Sequence, residues 1–160
     1  MSILDTTIDQ QLTPLVKPPI TQEQLRRYAE ASGDYNPIHL NEQAAQQVGL
    51  DGVIAHGMLS MAFLGQFVNQ QIADIPGARI RHLKVRFLNM VRPGDTLTCQ
   101  GKVKVRTTHA DLSQSIAIEC WAQNEKGDNV TTGEAVVIIP SAPQEAQRNI
   151  SLPIENERSA

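Results

Sequence analysis

The chain has 160 residues, with 17 acidic against 14 basic side chains and a formal net charge of −3 when its histidines are neutral. That length fits one domain with a real core and is too short for two comfortable ones. Hydrophobic residues at 41% and charged residues at 19% exclude a fibrous or wholly disordered chain, while three Phe, two Tyr and one Trp on a mildly acidic chain argue against nucleic acid as the partner.

The opening residues, Met1-Ser2-Ile3-Leu4-Asp5, carry neither a basic start nor a sustained apolar run, so no secretory signal is expected and the chain is placed in the cytoplasm. Pro14, Pro18 and Pro19 leave room for one short strand over residues 12–17. Thr21 with Gln24 has the capping-box pattern, and Leu25, Tyr28 and Ala29 repeat at helical spacing, predicting a helix over residues 22–31. Ser32-Gly33-Asp34 is turn chemistry, and Pro37 pushes Asn36 away from helical geometry, so residues 34–39 form a tight non-helical loop. Asn41 caps a second short helix that Gly49 ends. Residues 58–68 are apolar on almost every side, predicting a helix surrounded by protein. The run falls short of the roughly 20 residues a membrane span needs, and no membrane association is expected.

From Arg79 the period changes to two. Leu83, Val85 and Phe87 form one inward set, and Leu97, Cys99, Gly101, Val103 and Val105 a second. Two further strands follow over residues 113–122 and 130–139, joined by a hairpin turn at residues 124–128. Cys99 and Cys120 belong to no CxxC or Cys/His cluster and are expected as reduced, buried thiols, with no metal site. Beyond Pro140 the alternation gives way to Ser, Gln, Glu and Pro. The expected organisation is a lead over residues 1–9, a domain over 10–140 and a mobile tail over 141–160. The class is α+β, an antiparallel sheet curled around one apolar helix, with sheet edges that invite dimerisation.

The short signatures of nucleophile elbow, phosphate loop, dinucleotide fold and zinc protease are all missing, which leaves few candidates for chemistry. Asp34 and His39 stand five residues apart on the Gly33/Pro37 loop. A carboxylate and an imidazole held together can bind a water and shuttle its proton, as hydration of a carbon chain requires. Asn36 can order that loop or orient the histidine. The plainer alternative is that Asp34 caps a turn and His39 packs beside the next helix. Ala55-His56-Gly57 precedes the apolar helix, where unpaired amides and the helix dipole can polarise a carbonyl oxygen. The Gly57 amide is the stronger candidate, because His56 also suits a satisfied core histidine. Between Arg79 and Arg106 eight basic residues face Asp95 alone, a net of +7 set between flanks of −5 each. Such a rim suits an anionic carrier, or is a solvated strand face.

Ser32-Gly33-Asp34-Tyr35-Asn36-Pro37-Ile38-His39, followed by Ala55-His56-Gly57-Met58-Leu59 and Arg92-Pro93-Gly94-Asp95-Thr96-Leu97, closely resembles the MaoC-like dehydratases, the (R)-specific enoyl-CoA hydratases with a hot-dog fold. The resemblance implies Asp34 and His39 as the catalytic pair, Asn36 and His56 in support, and the Gly57 amide as oxyanion hole. It also implies a hot-dog homodimer acting on trans-2-enoyl thioesters, with no cofactor beyond coenzyme A or an acyl carrier protein as substrate carrier. The competing readings are a hot-dog acyl-thioesterase and a non-catalytic acyl-thioester-binding subunit of a hetero-oligomer.

Overall fold

The computed structural model describes residues 2–141. Its five strands are β1 (Leu15–Val16), β2 (Arg79–Phe87), β3 (Thr98–Thr108), β4 (Gln114–Gln123) and β5 (Asn129–Ile139). They pair antiparallel throughout in the order β1-β3-β4-β5-β2, which leaves the basic strand β2 at an open edge. Three helices precede the four long strands: α1 (Gln22–Ser32), α2 (Glu42–Gln47) and α3 (Gly57–Ile72). Thr21 caps α1 through the Gln24 amide, and Asn41 caps α2 through the Ala44 amide, each satisfying an orphan donor of the first turn.

The inner face of the sheet, carrying Val103, Ile116, Ile118, Cys120, Ala135 and Val137, closes over Leu64, Phe67 and Val68 of α3 in one fully buried cluster. This is the hot-dog arrangement. The helix is not enclosed on all sides, however. Leu59, Phe63 and Phe67 are buried, whereas Met58, Ala62 and Gln66 face outward, and Met58 is 52% exposed. Hydropathy alone does not distinguish a residue covered by the sheet from an apolar one on the uncovered side.

A second departure concerns β3. Lys104 is an extra residue in the ladder, where pairing passes from Val103↔Ile118 directly to Val105↔Ala117. A bulge shifts the side-chain parity that follows. Val105, expected inside, is 53% exposed, and Arg106 turns inward instead. There its guanidinium donates to the Ile3 and Thr6 carbonyls at 2.8 and 3.1 Å. The lead segment thus packs on the domain, with Ile3 in the core at 1% exposure. The mobile tail expected over residues 141–160 lies, apart from Ser141, outside the described residues.

Cys99 and Cys120 are both free and buried, and burial pushes each thiol up to about 12. Among the described residues no helix is long and apolar enough to cross a membrane.

Candidate active site

The loop leaving α1 is built from a repeated local device. Gly33 ends the helix at φ +75°, a left-handed conformation that a side chain would strain. From there every second residue fixes the backbone two positions on. The Ser32 hydroxyl accepts from the Asp34 amide at 3.2 Å, Asp34 Oδ1 from the Asn36 amide at 3.2 Å, and Asn36 Oδ1 from the Ile38 amide at 3.3 Å. Asn36 thereby caps the 3-10 turn Pro37–His39, and the His39 amide closes it on the Asn36 carbonyl at 3.0 Å. These are Asx and ST turns in series, and they account for the spacing of Ser, Asp and Asn before Pro37.

The turn delivers His39 inward, at 9% exposure, while the Asp34 side chain stays half exposed. His39 Nδ1 lies 2.8 Å from the Ile54 carbonyl. A carbonyl only accepts, so Nδ1 carries a proton, and in the corresponding neutral tautomer Nε2 is the bare acceptor. That Nε2 is 4.0 Å from Asp34 Oδ2. The gap is too long for a direct bond, but a water about 2.8 Å from each atom would see them at about 90°, near its own bond angle. Both neighbours are acceptors in this state, so the water would donate both protons and turn a lone pair outward.

His56 ties the pair together from behind. Its Nε2–H donates to the Asp34 carbonyl at 3.0 Å, and its ring packs on His39 with centroids 4.0 Å apart and against the Tyr28 ring, tilted by 53°, at 4.9 Å. Burial holds the imidazole below its ordinary pKa, against the opposing pull of the Asp34 carbonyl, and its Nδ1 is buried without a partner. Asp34, His39 and His56 bring ligand-type atoms within 4.8 Å of one another.

Gly57 opens α3 with His56 as its cap, and as the first helical residue its N–H has no acceptor within the helix. His39 and Gly57 line one pocket of about 260 Å³, together with Ile54, Ser60, Phe87 and Thr131. The Phe87 ring covers Gly57 so closely that a Cβ there would meet ring carbons at 3.4 Å. Below them the Ser60 hydroxyl donates to the Gly57 carbonyl at 2.7 Å and lies 2.6 Å from the Thr131 hydroxyl, a buried pair that moors the first turn of α3 to β5. Phe87, Ser60 and Thr131 were not among the sequence candidates. A hydroxyl within the apolar first half of α3 was the one available hint.

His39, His56 and Gly57 thus line one pocket, with Asp34 Oδ2 4.0 Å from His39 Nε2 and Asn36 capping the turn that carries His39. A family model described as the MaoC like domain matches residues 4–120. The chain is 36% identical over 113 residues to the fatty acid synthase beta subunit TOXC of Cochliobolus carbonum, covering 69% of this chain and 5% of that protein. It is 28% identical over 122 residues to the mitochondrial 3-hydroxyacyl-[acyl-carrier-protein] dehydratase of Arabidopsis thaliana, covering 76% of this chain and 71% of that one. The unliganded R-hydratase PhaJ1 of Pseudomonas aeruginosa superimposes with a TM-score of 0.72 at 27% identity, over 87% of this chain and 85% of that chain. The match runs through the lead, the acid/base loop, α3 and most of β4, and on that extent the chain belongs to the MaoC-like domain family.

Proposed function

We propose that the chain is a hydro-lyase that adds water to trans-2-enoyl thioesters, giving (R)-3-hydroxyacyl thioesters, or runs the reverse dehydration. The observation that carries this reading is the 4.0 Å gap between His39 Nε2 and Asp34 Oδ2, beside a pocket that Gly57 also lines. The thioester oxygen sits at the Gly57 amide, which draws electron density from the conjugated double bond. The water held by Asp34 and His39 loses one proton to the pair as its oxygen bonds to C3. The electron pair displaced from the double bond resides on the thioester oxygen as an enolate. Its collapse forms the C2–H bond with the proton the pair had taken, so one water is consumed and no other reactant is needed. Neutral His56 keeps the Asp34 backbone and the His39 ring in register while adding no charge.

The reading extends to a homodimer. β2 is the open edge of the sheet, and Met58, Phe87, Leu88 and Met90 around the pocket mouth are about half exposed. A second copy pairing along β2 would cover the outward side of α3 and close the pocket.

The test is to follow loss of the enoyl chromophore of crotonyl-CoA and release of free thiol in parallel. Hydration without thiol release is the expected outcome. Thiol release without hydration would replace this reading by a thioesterase, and neither signal would leave a binding subunit.

A further inference from the structure

Helix α3 begins without a cap. Thr21 and Asn41 cap α1 and α2, and Ser2 and Asn36 cap the 3-10 turns Ile3–Asp5 and Pro37–His39, each through a side-chain oxygen. His56 stands at the same position before α3, and its side chain makes no capping bond. A capping oxygen lies across the amides of the first turn, which is the space a thioester oxygen at Gly57 needs. The mouth of α3 is left open, so its first turn has to be held from elsewhere.

Ser60 and Thr131 supply that hold. Ser60 lies one turn into the helix at 4% exposure, and Thr131 is 1% exposed on β5. The Gly57 carbonyl can only accept, so the single Ser60 hydroxyl proton goes to it, at 2.7 Å. The 2.6 Å contact between the two hydroxyls then uses the Thr131 proton. The bonds therefore run in one direction, from Thr131 to Ser60 to Gly57. Thr131 is itself fixed by the ladder, opposite Phe87 on β2 and Ala122 on β4. One register pair thus reaches Gly57 twice, with the Phe87 ring where a Cβ would point and Thr131, through Ser60, on the carbonyl. A glycine has no side chain to restrict φ and ψ, so the direction of its N–H depends on such outside contacts.

We infer that Ser60 and Thr131 are positioning residues for the oxyanion. Their hydroxyl chain takes the place of a cap and aims the Gly57 N–H at the thioester oxygen, while the helix mouth stays free for substrate. Both act through Gly57 and take no part in proton transfer. The role rests on the hydratase reading, since only a substrate carbonyl at Gly57 gives that direction a consequence.

The experiment separates aim from stability. Ser60→Ala should lower kcat for crotonyl-CoA hydration about tenfold at unchanged KM, and Ser60→Thr, whose hydroxyl can make the same bond back along the helix, should restore it. Thr131→Val, which keeps the shape of the side chain, should lower kcat about threefold in a folded chain. Ser60→Ala strands the Thr131 hydroxyl in the core, so adding Thr131→Val should raise the melting temperature of that variant while its kcat stays low. Recovery of kcat along with melting temperature, or wild-type kcat in both single variants, overturns the assignment. A readout free of turnover is the order parameter of the Gly57 amide in nitrogen-labelled chain, which should fall in Ser60→Ala and return in Ser60→Thr. That pattern in a chain that hydrates no enoyl thioester would keep the hold on Gly57 and overturn the hydratase reading. An unchanged order parameter in an active chain would overturn the hold alone.

Discussion

The two sides of the candidate active site are built on different length scales. The acid/base side is a short loop, and the bonds from Ser32 to Asp34, Asp34 to Asn36 and Asn36 to Ile38 each span two residues. The polarising side is assembled from distant parts. The Ser60–Thr131 bond joins positions 71 apart, and Phe87 reaches Gly57 from the end of β2. A locally bonded loop keeps its geometry through its own side chains, whereas the wall around Gly57 depends on the sheet being complete. Damage to the first should be confined to chemistry, and damage to the second should reach stability as well.

The largest effect is expected on the local side. Asp34→Asn and His39→Gln each keep nearly the shape of the native side chain but remove a proton acceptor, and each should lower kcat for hydration by about 10² to 10⁴. Because the two act on one water, the double variant should be little worse than the poorer single one. Losses that multiply in the double variant would mean independent roles.

On the polarising side, the amide can be separated from the space it occupies. His56 has φ −58° and ψ 130°, which a following proline tolerates, and proline is well accepted at the first helical position. Gly57→Pro deletes the N–H, Gly57→Ala keeps it, and both place a Cβ against Phe87. If the amide holds the developing oxyanion, kcat for Pro should fall about 10²-fold below that for Ala, at similar melting temperature. Equal rates would remove Gly57 from the chemistry.

The smallest effect is a pH dependence at the joint between the two sides. His56 is held below its ordinary value of 6.5, first by burial. The unfolded chain therefore binds its proton more readily than the folded one. The contribution to stability is complete above about 6.5 and is lost as pH falls toward the depressed folded value. Melting temperature should drop more steeply on acidification in the wild type than in His56→Asn. Parallel curves would show that His56 does not titrate with folding.

This difference in scale also explains what could be read before folding. The loop was legible because Gly33, Pro37 and the alternating Ser, Asp and Asn act on neighbours, so sequence and structure carry the same information. The sheet was legible as period-two alternation, and α3 as an apolar run. The inward turn of Arg106 was not, because one inserted residue at Lys104 reverses parity without changing composition. The covering of Gly57 by Phe87, and the mooring of Ser60 to Thr131, depend on strand register, which no local pattern fixes. Sequence alternation likewise made Lys102, Lys104 and Arg106 equivalent to Lys84 and Arg86. Folding engages the first three with Asp9, Glu119 and backbone carbonyls, whereas Lys84 and Arg86 on β2 make no ion pair among the described residues.

The most direct measurement of the central claim is the fate of labelled solvent. Crotonyl-CoA turned over in deuterated water enriched in heavy oxygen should yield 3-hydroxybutyryl-CoA with the heavy oxygen on C3, deuterium on C2 and an unlabelled thioester carbonyl. Heavy oxygen in a free crotonate carboxylate, with C2 and C3 unlabelled, would contradict water addition by Asp34 and His39 and identify thioester cleavage in its place.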